Sequence, residues 1–240
     1  EEIEQIYEIP SVTFCEMNLE EVKKIQKVIE EVYSTFPSIK GYLTNITLTN
    51  ATNAKDYVAY FQPLYQFVST TNVAEELNKI NKTQILLNSY YFLDDVKLKT
   101  KIEGDWYVEG ATYESLISHE FGHYVTFVSL LKNKNIDNVT FVTKDNVDTI
   151  EELLKTINYQ LYSKELVSRA INNYNNRYNS NIQIDDFAKA ISNYAANKNA
   201  DGDFIYDEII AEAFHDYYLH KENASKSSLE IIDILKLEVN

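Results

Sequence analysis

"SHEFGHYV", residues 118–125, holds two histidines four apart, with a glutamate directly after the first. On an α-helix, residues four apart lie about 40° from each other around the axis, so His119 and His123 present their imidazoles from successive turns to one point. That spacing suits a zinc ion. Glu120 projects beside them, placed to take a proton from an attacking water and pass it to a leaving amine. Gly122 has no side chain, which suits close approach of another element beneath the site. A zinc centre that works as an enzyme takes three protein ligands and keeps one position open, so one ligand must come from elsewhere.

The surrounding stretch sets the local fold. "KIEGDWYVEGATYESLISHEFGHYVTFVSLL" places two glycines and the only tryptophan just before a helix beginning near Thr112, so the motif lies within that helix. Upstream, Leu19, Val22, Ile25, Val28, Ile29, Val32 and Phe36 recur every three or four residues behind an Asn18/Glu21 capping box, which predicts an amphipathic helix ended by Pro37. "GYLTNITLTN" from Gly41 and "TQILLNSYYF" over Thr83–Phe92 read as strands. Downstream, Ile150, Leu153, Leu154, Ile157, Leu161, Leu166, Val167 and Ile171 mark one long or broken helix over about 147–174. Shorter helices are expected near 185–196, 204–220 and 228–239. All three prolines, Pro10, Pro37 and Pro63, lie within the first 63 residues. The expected architecture is one α+β domain over 1–240, with an α/β lobe to about 132 and a helical lobe from about 133.

Bulk properties narrow the partners. Lys and Arg total 22 against 37 Asp and Glu, a net charge of −15, which argues against nucleic acid because nothing would neutralise its phosphates. A basic substrate is compatible with that balance, whose plainer meaning is solubility; a monomer is expected. No run of eighteen or more apolar residues appears, so no membrane span is expected. The start "EEIEQIYEIP" lacks the regions of a signal peptide, so secretion from a bacterium would require a signal already removed; cytoplasmic or phage-associated placement is the other option. Cys15 is the only cysteine, which rules out an intrachain disulfide. Asn-x-Thr/Ser triplets at Asn45, Asn50, Asn81, Asn138 and Asn223 carry no weight in a chain this rich in Asn.

The third ligand is sought in "YDEIIAEAFHDYYLH", where Glu208, Glu212 and His215 share one helical face. A metzincin would continue its motif with Gly and a third His, but Thr126 and Ser129 stand at those positions. Two registers remain open on the residues alone. In one, Glu208 binds the metal and Glu212 hydrogen-bonds a ligand histidine. In the other, Glu212 binds and Asp216 stands behind it.

"SHEFGH", followed by "ISNYA" and "EIIAEAF", resembles the gluzincin metalloproteases of the anthrax lethal factor type, which include the clostridial Pro-Pro endopeptidases and protease-like domains in prophage proteins. The resemblance covers most of the chain from about Asn18. It implies a zincin-like fold, Zn²⁺ as cofactor, and hydrolysis of peptide bonds in a substrate bound in extended form. It implies His119, His123 and Glu208 as metal ligands, Glu212 behind them, Glu120 as general base and acid, and Tyr194 of "SNYAAN" as donor to the oxyanion. It also implies that "ILLNSYYF", Ile85–Phe92, is the sheet edge on which substrate pairs.

This sequence departs from the family in the segment "NKNADGDFIYDE" between Tyr194 and Glu208, which is about twice the usual length. Asn197, Asn199, Asp201, Gly202, Asp203 and Glu208 fit a calcium-loop pattern, with Asn for Asp at its first position. A bound Ca²⁺ there would claim Glu208 and move the zinc ligand to Glu212, while a plain polar turn at Asp201-Gly202 needs no ion. The insertion also brings Tyr206 into contention as the tyrosine near the ligands. Against the peptidase stands the expectation of a non-catalytic or calcium-regulated metal-binding module of a phage, mobile-element or secreted protein.

Overall fold

The computed structural model describes residues 2–49, 57–62, 83–134 and 158–239. The predicted helical stretch over 147–157 and Pro63 lie outside them. Among the described residues, nine α-helices accompany four short strands in a mixed α+β arrangement. The helices are α1 (Glu2–Tyr7), α2 (Leu19–Thr35), α3 (Ser89–Phe92), α4 (Asp95–Ile102), α5 (Ser115–Asn133), α6 (Tyr159–Tyr178), α7 (Ile184–Lys189), α8 (Tyr206–His220) and α9 (Lys226–Val239). The strands are β1 (Ser11–Thr13), β2 (Asn45–Thr49), β3 (Ala59–Gln62) and β4 (Gln84–Asn88), in the order β1-β2-β4-β3. β1, β2 and β4 run parallel, and β3 pairs antiparallel to β4 with Phe61 opposite Ile85. No described helix is long and apolar enough to cross a membrane.

The helix predicted from the Asn18 cap forms as expected. The Asn18 side chain accepts the Glu21 N–H, and Ile25, Val28, Ile29 and Val32 are buried on one face. The stretch Thr83–Phe92 departs from its expected strand. Its strand ends at Asn88, whose side chain accepts the Tyr90 N–H and caps α3, so Ser89–Phe92 turns helical despite its tyrosines. A local side-chain cap here outweighs β propensity. The helix expected over 185–196 stops at Lys189 and continues only as turns, and the small elements β1, β3, α3 and α4 are additions to the predicted set.

α5 is the centre of the molecule. Every residue from Ser115 to Leu131 is buried. Its N-terminus is tied by a reciprocal pair of bonds: the Thr112 N–H donates to Ser115 Oγ (2.9 Å) and the Ser115 N–H to Thr112 Oγ1 (3.3 Å). Phe121, Tyr124 and Phe127 are fully buried; removing such side chains from water contributes roughly 1.5–3 kcal/mol each. The Tyr124 hydroxyl donates to the Ile39 carbonyl and accepts the Leu43 N–H, joining α5 to the chain that enters β2.

α8 crosses α5 backbone to backbone. A Cβ on Gly122 would lie 2.7 Å from Ala211 Cα and 2.9 Å from Phe214 Cβ, so only glycine permits this approach. Gly122→Ala is therefore expected to force the two helices apart and to destabilise the fold by about 1–3 kcal/mol, the usual cost of overpacking. Chemical denaturation measures this, and a loss below about 0.5 kcal/mol would show that the crossing is not tight.

Candidate metal centre

The close crossing sets two glutamates of α8 against two histidines of α5. Glu208 Oε2 lies 3.0 Å from His119 Nε2 and 3.6 Å from His123 Nε2. Neither contact has hydrogen-bond geometry, which leaves Glu208 Oε2 a buried acceptor without a donor. Tetrahedral zinc, with ligands at about 2.0–2.1 Å, holds its donor atoms about 3.3 Å apart. Glu208 Oε2 therefore stands at about that spacing from each imidazole nitrogen, and the three donor atoms all lie within 4.8 Å of one another. Their chemistry, two imidazoles and one carboxylate, fits zinc and leaves room for a fourth ligand.

Glu212 approaches the same histidine from behind. Its Oε1 accepts from His119 Nδ1 at 2.8 Å, which leaves the lone pair on Nε2 to face the metal position. Its Oε2 accepts from Ser192 Oγ at 2.6 Å, and His215 Nδ1 stands 3.4 Å from Oε1. His215 Nε2 in turn meets Ser115 Oγ at 2.7 Å. His119, Glu212 and His215 also form a ligand-like cluster, but Glu212 and His215 are fully buried, and the contacts between them have the length and partners of a hydrogen-bond network. The cluster with Glu208 is the one that opens onto a cleft.

The alternative register with Glu212 as ligand and Asp216 behind it does not match this geometry. Asp216 accepts from the Ser225 N–H, the Ser228 hydroxyl and His220 Nδ1, joining α8 to the start of α9. The loop of the calcium pattern closes on itself. Asn199 Oδ1 accepts the N–H groups of Asp201 and Asp203 inside a tight turn with Gly202 at φ +85°, and Glu208 points to the histidines instead of the loop.

The cleft has a volume of about 460 Å³ and is lined by His119, Glu120, His123 and Glu208 together with Tyr57, Tyr60, Trp106, Tyr107, Tyr159 and Tyr194. Burial pushes the Glu120 carboxyl above its ordinary range, opposed in part by the charges of His119 and His123. Burial acts the same way on Glu208, but there the charge and close approach of the two imidazoles win and hold the carboxyl well below its usual range. Burial would also raise Glu212, yet the hydrogen bonds from His119 and His215 bring it down to about 2. His119 shows the converse: burial disfavours its charged form, and the two carboxylates raise it well above its ordinary value.

The Tyr194 ring lies parallel to that of His119, with centroids 5.6 Å apart, and also stacks with Trp106 at 5.6 Å. Burial and then the nearby carboxylates keep its phenol protonated far into the alkaline range. Tyr206 instead packs against Phe204, under Lys164, and does not line the cleft. Among the strands, β3 lines the cleft, while β4 is paired on both sides by β2 and β3. The edge implied for Ile85–Phe92 is thus corrected: a strand with both edges paired has no ladder positions left for a peptide.

Residues that sequence reasoning missed are the hydroxyls of Ser192 and Ser115, and Asp207, whose Oδ2 is 3.8 Å from His123 Nδ1. Only Ser192 carried a signal, two residues before Tyr194. Comparison with protein-family models, with curated proteins and with solved structures finds no match.

Glu212→Gln is expected to weaken zinc binding by about 10–100-fold, as loss of a carboxylate behind a ligand histidine usually does. Competition with a chelating dye measures it. Zinc at about 1,000 times its dissociation constant should stabilise the wild-type fold by about 4 kcal/mol, seen as a raised melting temperature that a chelator reverses. A melting temperature indifferent to zinc and chelator would rule out a metal centre here.

Proposed function

We propose that this chain is a zinc-dependent endopeptidase of the gluzincin kind, with a zincin-like fold, acting on a protein or peptide segment bound in extended form. The reading rests on the convergence of His119 Nε2, His123 Nε2 and Glu208 Oε2 at the floor of an open cleft, with Glu120 beside them. Zinc held by these three residues supplies a Lewis acid that polarises the scissile carbonyl and acidifies a water.

The remaining chemistry belongs to the chain. Glu120 takes the proton of the attacking water as the new C–O bond forms, and gives it to the amide nitrogen as the C–N bond breaks. A carboxyl raised above its ordinary range by burial keeps its proton more readily than an exposed one, which suits that double role. Tyr194, fixed as a neutral phenol, donates to the oxygen on which negative charge develops. β3 runs along the cleft and offers an antiparallel template for the substrate backbone. The aromatic walls exclude water from the reacting bond and give the substrate side chains apolar surface.

Two substitutions separate these roles. Glu120→Gln is expected to keep zinc and to lower kcat by about 10²–10⁴-fold, because the proton carrier is lost while the ligands stay. Tyr194→Phe should lower kcat by about 10²–10³-fold, the usual cost of one oxyanion donor. Mass-spectrometric readout of a peptide library provides the assay. Wild-type cleavage by a zinc-loaded Glu120→Gln protein would overturn the mechanism.

A further inference from the structure

We propose that Ser192 is a positioning residue that sets His119 and Tyr194 together, so that one hydroxyl fixes both a metal ligand and the oxyanion donor. This rests on the peptidase reading for its catalytic consequence, but its geometry stands independently. Ser192 Oγ donates to Glu212 Oε2 (2.6 Å) and accepts the Ala195 N–H (2.9 Å). The first bond leaves Glu212 Oε1 for His119 Nδ1; the second closes the turn that carries Tyr194.

That turn is anchored from outside as well. The Tyr194 N–H donates to the Trp106 carbonyl (2.8 Å) and Asn193 Nδ2 to the Asp105 carbonyl (2.7 Å). Tyr194 is thereby held where its ring stacks with both Trp106 and His119. Ser192 is 6% exposed and sits where the ligand-orienting carboxylate and the tyrosine-bearing turn meet, with both its donor and an acceptor function in use. Removing the hydroxyl leaves Glu212 Oε2 without this donor in a buried site and frees the turn at Ala195, so both ends of the link loosen at once.

Trp106 is the only tryptophan in the chain and stacks on Tyr194, so its emission reports the placement of that ring without any substrate. The test compares Ser192→Ala with Ser192→Thr in the full chain, using zinc alone as the metal probe. Ser192→Ala is expected to weaken zinc affinity by about 10–100-fold, to shift Trp106 emission, and to lower kcat at saturating zinc with KM within about twofold. Ser192→Thr, which keeps the hydroxyl, should restore all three.

Wild-type zinc affinity in Ser192→Ala, an affinity loss with unchanged emission, or a threonine variant as defective as alanine would each overturn the proposal. Should the alanine variant fail to fold, Ser192→Cys carries the test, because a thiol fills the site but donates weakly. Reduced zinc affinity with a native melting temperature then supports the link, and wild-type affinity overturns it. If the wild-type chain cleaves no peptide, the peptidase reading falls, and the zinc and emission arms still decide the role of Ser192.

Discussion

The site depends on one steric fact, the contact of Gly122 with Ala211. Gly122 lies between His119 and His123 along α5, and Ala211 lies between Glu208 and Glu212 along α8. When the two backbones touch at these small residues, the longer side chains on either side must interleave. Glu208 then reaches the Nε2 face of the imidazoles and Glu212 the Nδ1 face of His119. A wider crossing would separate the donor atoms beyond what a single ion can span.

The same packing concentrates charge out of water. Glu120, Glu208 and Glu212 share a buried region with His119 and His123, and such groups persist only when they compensate one another. The compensation is mutual: the carboxylates favour the charged form of His119, and the imidazoles favour the charged forms of Glu208 and Glu212. A dication held there would supply the same compensation in place of protons, because metal ligands must give up their protons to bind.

Much of this was legible in the sequence because it rests on periodicity. The histidine spacing, the Glu208/Glu212 face and the Asn18 cap are local patterns that the fold preserves. The resemblance through "EIIAEAF" pointed to Glu208, and the geometry sets that residue beside both Nε2 atoms. What was missed depends on partners distant in sequence. β1 and β3, at three and four residues, are too short to alternate visibly and exist through pairing. The Thr83–Phe92 run looked like one strand because a capping asparagine and an ordinary strand asparagine are the same letter. In the stretch that fits the calcium pattern, the Asn199 side chain accepts from the backbone of its own turn, a local closure that residue type alone does not reveal. Nor could sequence single out Ser115, and it marked Ser192 only by its place before Tyr194, since what the two hydroxyls touch lies 100 and 20 positions away.

Tyr124 adds a constraint of a different kind. It follows His123 directly, which places it about 100° around α5, and its hydroxyl is held by the Ile39 carbonyl and the Leu43 N–H. A helix packed by apolar contacts alone can roll about its axis at little cost, because such contacts have no preferred direction. Hydrogen bonds do have one. Tyr124 therefore acts as a key in a slot, fixing the azimuth of α5 from its far side. The precision with which His119 and His123 face the cleft is set in part by a phenol that never enters it.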